Sequence, residues 1–334
     1  MALGVVLVLI VGGALVWLTQ RGDSGGSAPA YAPSTVPNVV KVGGTTTGQA
    51  LKLSAALTAK GLECTVRYTG NAGGQAGCFR WGDKGTTSSE VLFQYQPDGT
   101  VIGLNLKALG QREGASFVEL ALAFQAVAPV VFAADQDKVA QTVANVGKVD
   151  DTSFDGSWGK YHVRDGASGT TVSAAKSGAA QLAVPDIRMA NPPAKLADAF
   201  SAMGFTCNAT REDCDSTFRD GKGRLSVLSS TVGSKGTLQL IIGADDTSRD
   251  ANGAQTKKAF SDLVHLTLGL AGGNGLPAVD MWFDDQLDGD SHSAYVGGWR
   301  VDLVVKYGTP YGAASLASNY RLTISADTLW TVPN

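Results

Sequence analysis

The chain has 334 residues, of which 17% are charged, and its net charge is −3. With no basic run and no alternation of aromatic and basic residues, it lacks the electrostatic footprint of a DNA- or RNA-binding protein. The charged fraction lies below the usual ~25%, and 42 glycines are far above the usual ~7%. Together they suit a turn-rich, β-containing chain long enough for about two domains of ~100–200 residues each.

The chain opens on an uncharged apolar run of 17 residues, Ala2–Leu18. As a helix it would reach roughly 25 Å, within the range of a membrane span. We read residues 1–20 as one N-terminal transmembrane helix. The competing reading is a cleaved signal peptide. It is weakened by the absence of basic residues before the run and by the only A-x-A site, Ala28-Pro29-Ala30, which lies well beyond Leu18 and carries a central proline. No cysteine follows the run to accept a lipid. Arg21 beside Asp23 does not set the orientation. Residues 21–47 are rich in Gly, Ser and Pro in their first half and read as a flexible extracytoplasmic linker. The Arg21-Gly22-Asp23 triplet within it is of a kind common by chance.

A stretch then occurs twice. KLSAALTAKGLEC (Lys52–Cys64) and KLADAFSAMGFTC (Lys195–Cys207) share six identities in 13 positions at an offset of 143. Leu53 with Leu57, and Leu196 with Phe200, are four apart and predict one helical face. Gly61 and Gly204 stand where a left-handed residue would end each helix. A second cysteine follows each copy, Cys78 and Cys214. Four cysteines allow three pairings, and the repeat selects Cys64–Cys78 and Cys207–Cys214, which implies an oxidising compartment. Reduced thiols in the cytosol are the alternative. Neither pair has the spacing of a zinc site.

The likeness extends further. Val91–Gln96, a turn at Pro97-Asp98-Gly99 and Thr100–Leu109 predict a hairpin. Arg224–Ser230, a turn near Gly233–Gly236 and Thr237–Ala244 predict its counterpart. Helical patterns follow, with Phe117, Leu120, Phe124 and Val127 on one face of the first and Phe260, Leu263, Val264 and Leu268 on one face of the second. Pro129 is expected to kink or end the first. Closing strands are predicted at Gly159–Val163, Thr170–Ala175, Gly298–Tyr307 and Asn319–Ala326. The boundary falls in the proline-bearing stretch 184–195, with Pro193 suited to the start of a helix. The expected fold is α+β: a tandem duplicated domain (48–184 and 185–334). Each unit is a helix plus a disulfide-tied hairpin and an antiparallel sheet with a second helix.

Candidate chemistry is sparse. His162, His265 and His292 have no histidine neighbours in sequence. Asp151–Trp158 and Asp284–Asp290 partly match a calcium loop but lack its closing acidic ligand, and exposed Asp-Gly turns are the alternative reading. Gly70–Gly77 has the composition of a phosphate loop, but lies between paired cysteines and reads as a hairpin tip. Asn208-Ala209-Thr210 fits a glycosylation acceptor. No nucleophile motif or cofactor motif is present. Tyr307, Tyr311 and Tyr320 flank a long uncharged loop and are candidate partner contacts, with packing over the sheet edge as the alternative.

The Gly-x-x-Cys that ends each helix (Gly61–Cys64, Gly204–Cys207), followed by a hairpin closed by a second cysteine, resembles a pattern in envelope proteins of high-GC Gram-positive bacteria without an assigned function. The duplicated helix-and-sheet plan with one disulfide per unit is also similar in architecture to β-lactamase inhibitory proteins. These units are much longer, and no inhibitor contact motif carries over. The functional expectation is a non-catalytic, membrane-tethered extracytoplasmic binding or envelope-associated protein. It would be held in the membrane by its N-terminal helix and would meet a protein, peptide or glycan, not nucleic acid. An extracytoplasmic hydrolase with an unrecognised site and an accessory subunit of a membrane complex are the alternatives.

Overall fold

A computed structural model describes residues 40–326, apart from 83–86, 111–114, 146–150, 167–168, 184, 186, 232–236, 247–252 and 309–315. The apolar run 2–18, most of the linker and the turn expected near Gly233–Gly236 therefore lie outside the described residues. Among the described residues no helix is long and apolar enough to cross a membrane.

The fold is α+β with two antiparallel sheets. The first contains β1 (Val40–Val42), β2 (Glu63–Gly70), β3 (Gly73–Trp81), β4 (Thr87–Tyr95), β5 (Val101–Gly110), β6 (Asp151–Asp155), β7 (Gly159–Gly166) and β8 (Gly169–Lys176). Their order across the sheet is β1-β2-β3-β4-β5-β8-β7-β6. The second contains β9 (Thr206–Cys207), β10 (Asp213–Phe218), β11 (Gly223–Thr231), β12 (Thr237–Asp246), β13 (His292–Val296), β14 (Trp299–Gly308) and β15 (Leu316–Ser325). Read from its cysteine-bearing edge, its order is β9-β10-β11-β12-β15-β14-β13, the path taken by β2-β3-β4-β5-β8-β7-β6. Both sheets belong to one compact unit, Asn38–Asn334.

Helices cover one face of each sheet. In the first half they are α1 (Gly48–Thr58), α2 (Ala115–Val131) and α3 (Gln136–Asn145). In the second they are α4 (Pro193–Ala202), α5 (Gly253–Ala271) and α6 (Leu276–Gln286). α1 turns Ala50, Leu53 and Leu57 inward, and α4 turns in Leu196, Ala197 and Phe200, as the helical spacing predicts. Gly61 and Gly204, at φ of 82° and 89°, take the left-handed conformation just past each helix. Strand alternation supplies the rest of each core. Val91, Phe93 and Tyr95 on β4 and Leu104, Leu106 and Ala108 on β5 meet α2. Leu240 and Ile242 on β12 and Leu322 and Ile324 on β15 meet α5.

Several expectations change. Val40–Val42, read as the end of the linker, pairs with β2, because alternating β-branched residues suit a sheet edge. Asp151–Asp155 is strand β6, with Phe154 packed towards the core. Asp284–Gln286 close α6, whose Val279 and Phe283 lie one turn apart and are both buried. Neither segment is therefore a continuous loop. α2 runs two residues past Pro129. The 3-10 turn Ala133–Asp135 and helices α3 and α6 had no counterpart in the reading of the chain.

The cysteines stand opposite one another across neighbouring strands, Cys64 facing Cys78 and Cys207 facing Cys214. Each pair forms a disulfide, spanning 14 and 7 residues respectively. Entropic closure of such loops is worth about 3 and about 2.5 kcal/mol. Replacing Cys64 and Cys78 together by alanine should lower the unfolding free energy in urea by about 3 kcal/mol, and Cys207 with Cys214 by slightly less.

Candidate binding surface

The two sheets differ in what lies over the face turned away from the helices. Strand β3 is buried on both sides from Gly73 to Phe79. Its second cover is the β13–β14 hairpin, the last hairpin of the other sheet, which lies over β2 and β3. On that hairpin Ala294, Trp299 and Val301 face their own core, so alternation turns Ser293, Tyr295, Arg300 and Asp302 towards the first sheet. Tyr295 packs edge-on against Phe79 at 5.6 Å between ring centres. Gly77 makes room for it, since a Cβ there would stand 2.8 Å from the tyrosine ring.

Polar groups are satisfied across this junction. Arg67 sits at a bulge in β2 and is 1% exposed. It donates to the Gly298 carbonyl (3.0 Å), to the Ala326 carbonyl and to Gln75 Oε1 (3.3 Å), and lies 5.3 Å from the centre of the Tyr295 ring. Trp81 Nε1 donates to Ser293 Oγ at 2.8 Å, and the Tyr295 amide donates to Thr65 Oγ1 at 2.8 Å. Arg300 contacts Glu90 at 2.8 Å, is forked onto Asp302 and covers the Phe79 ring at 3.9 Å. Burial alone would push its guanidinium pKa down, but Asp302 and Glu90 outweigh this and hold it up.

The remaining far face of the first sheet is crossed by residues 177–183, which lead towards the second sheet. The buried Gln94 side chain behaves there like a strand backbone. It accepts from the Leu182 amide (3.0 Å) and donates to the Leu182 carbonyl (3.1 Å). Tyr68 OH donates to the Ala183 carbonyl at 3.4 Å. Burial, opposed by the neighbouring Arg67 charge, pushes the Tyr68 phenol up to about 12.

In the second sheet the same face, from β10 to β15, carries no such cover among the described residues. Its cross-strand rows run Asp213–Leu228–Ile241–Thr323, Asp215–Ser226–Gly243–Arg321 and Thr217–Arg224–Asp245–Asn319. Because Cys214, Val227, Ile242 and Leu322 lie in the core, these rows face away from it. Leu228 and Ile241 are half-buried and Arg321 is exposed. Arg224 forks onto Asp215 at 3.0 and 2.8 Å. Arg321 makes no ion pair or side-chain hydrogen bond among the described residues. At the β9–β10 edge, Thr206, Asp215, Thr217, Lys222, Arg224 and Asp245 line an open groove of about 470 Å³.

The sequence candidates are dispersed. Tyr320 is a correction: it is 3% exposed and stacks on Phe260 in the core, because its position on β15 alternates with the outward Arg321. Tyr307 lies on β14, and Tyr311 lies outside the described residues. Each histidine meets a nearby carboxylate. His162 pairs with Asp151 across β6 and β7. His265 on α5 pairs with Asp280 (2.7 Å) and Asp284 (3.2 Å) on α6. His292 pairs with Asp288 at 3.0 Å. Gly70 and Gly73 flank the β2–β3 turn. Asn208 Oδ1 accepts from Thr210 and from two amides inside the small disulfide loop. Among the described residues no group of three or more His, Cys, Asp and Glu side chains is placed to hold a metal ion.

Asp135 escaped the sequence reading. It is 5% exposed and accepts from the Ser157 and Trp158 amides (both 2.7 Å) and from Tyr161 OH (2.9 Å), fixing the β6–β7 turn. Burial raises its carboxyl pKa, but these donors outweigh it and hold the group below the usual range. Only the Asp155-Gly156-Ser157-Trp158 turn could have hinted at such a demand for an acceptor.

Comparison with protein-family models, with curated proteins and with solved structures finds no match for this chain.

Three variants check these assignments. Arg67→Ala would leave the Gly298 and Ala326 carbonyls without their donor, and should cost on the order of 3 kcal/mol in urea unfolding. Arg321→Ala on the open face should change stability by less than about 0.5 kcal/mol. Asp135, with its lowered folded pKa, contributes stability at neutral pH that is lost as pH falls through that folded value. The stability gap between the native chain and Asp135→Asn should therefore be widest near neutrality and should close in acid.

Proposed function

We propose that this chain is a membrane-tethered, extracytoplasmic binding protein of the cell envelope, non-catalytic, built by tandem duplication of one disulfide-tied α+β unit. The observation that carries the reading is the oxidation state of the cysteines. All four are joined in two disulfides, each closed within one sheet, a pattern of oxidising compartments. The apolar run Ala2–Leu18 supports an anchor at residues 1–20, and the Gly-, Ser- and Pro-rich start of the linker supports a tether. Duplication is supported by the 143-residue offset of the repeated helix, by the common strand order and by the matching Cys–Cys registers.

The binding role rests on the contrast between the two far faces. The β2–β4 part of one is covered by the β13–β14 hairpin and by residues 177–183. The other offers a half-buried aliphatic centre among charged and hydroxyl groups, in the manner of a protein–protein contact surface. The histidine–carboxylate pairs lie apart from the groove at the β9–β10 edge.

The test is labelling of intact cells that express the full chain. A membrane-impermeant amine reagent should modify the protein without lysis, and detergent but not high salt should release it from the membrane fraction. Alkylation before reduction should leave all four cysteines unmodified. Labelling only after lysis, or four reactive thiols, would sink the reading.

A further inference from the structure

We propose that the open face of the second sheet is the contact surface for a second copy of this chain, in a two-fold symmetric pair. The proposal names the partner for the binding surface argued above and rests on that reading.

The argument comes from the rows of side chains. In a symmetric dimer one patch must be complementary to itself. Stack two copies of this face with the two-fold axis parallel to the strands and midway between β11 and β12. The axis exchanges β11 with β12 and β10 with β15, and keeps each cross-strand row opposite itself. Leu228 of one copy then meets Ile241 of the other, because the two occupy one row on β11 and β12. Arg224 meets Asp245 by the same exchange. Asp215 meets Arg321, its row-mate two strands further on. Every contact occurs twice. The apolar row is thus followed along the strands by two rows of opposed charges, with no like-charged pair brought together among these six residues.

This pattern is specific to the arrangement. If the axis ran across the strands along the row holding Asp215 and Arg321, each residue would meet its own copy, Asp215 against Asp215 and Arg321 against Arg321. Sheets that pack face to face keep their strands within about 30° of each other and about 10 Å apart. The Asp215–Arg321 row lies between the Leu228–Ile241 row and the Arg224–Asp245 row, and the opposed charges are within reach of long side chains. Arg321 gains a counter-ion that it lacks among the described residues of its own chain. The apolar row excludes water, while the charges fix register and exclude partners of the wrong sign.

The test uses the full chain in detergent, followed by light scattering across micromolar concentrations. A dimer is expected. Ile241→Lys should make it monomeric while leaving the disulfides and the thermal transition intact. Arg321→Asp should weaken dimerisation by about tenfold or more, and so should Asp215→Arg. Mixing these two variants should restore a dimer, since each opposed pair then holds one acid and one base. A full chain that stays monomeric overturns the proposal. So does a dimer that withstands Ile241→Lys, which would place the contact elsewhere, the N-terminal apolar segment included, and so does failure of the mixed variants to re-pair. None of these outcomes bears on surface exposure in intact cells, which separately decides the tethered extracytoplasmic reading.

Discussion

The guanidinium of Arg67 sits where two sheets meet, and the body of the protein depends on how that cation is accommodated. Strand β3 is buried on both faces, so something must lie against the side that the helices leave bare. The β13–β14 hairpin does, and brings the Gly298 carbonyl to Arg67 Nε at 3.0 Å. The Ala326 carbonyl, just past β15, accepts from the same group. A buried charge with few partners would be strongly destabilising. With two carbonyls, a glutamine oxygen and the Tyr295 ring around it, the same charge ties residues more than 200 positions apart in sequence.

The halves take the same path through their sheets but treat their far faces differently, and a few residues beside the cysteines decide this. Flanking Cys78 are Gly77, which leaves space for Tyr295, and Phe79, which packs on it. Flanking Cys214 at the same places are Asp213 and Asp215. A tyrosine-bearing hairpin would bury two carboxylates there at a large desolvation cost. The β6–β7 hairpin is likewise unsuited to dock in the manner of β13–β14, since its outward positions carry Asp151, Asp155, Lys160, His162 and Arg164. Sheets that follow one path can associate head to tail without closure, and these charges oppose it.

Polar groups inside the chain act mainly as fasteners. Asp135 holds the β6–β7 turn through three donors, and Gln94 holds the connection between the sheets through both ends of its amide. Each serves a segment without regular hydrogen bonds of its own, where an unsatisfied buried amide would cost more than the side chain loses in freedom. The two disulfides do the corresponding work at the cysteine-bearing edges, where β9 has only two residues to pair.

Local periodicity and a repeated spacing were enough to place α1, α4, the hairpins β4–β5 and β11–β12, the closing strands and both disulfides, because each follows from residues close together along the chain. Helices α3 and α6 and strands β6 and β13 were not legible. β6 and α6 carry aspartates that looked like loop residues, and packing of Val139, Phe154, Val279 and Phe283 fixes α3, β6 and α6 against the cores. Tyr320 looked available because it borders a long loop, yet strand alternation turned it into the core. The open face and the sheet junction belong wholly to the tertiary structure. Which side of a strand meets solvent depends on what another part of the chain brings against it. A sequence determines the alternation of side chains along each strand, whereas only the assembled sheets determine which of the two faces is left bare.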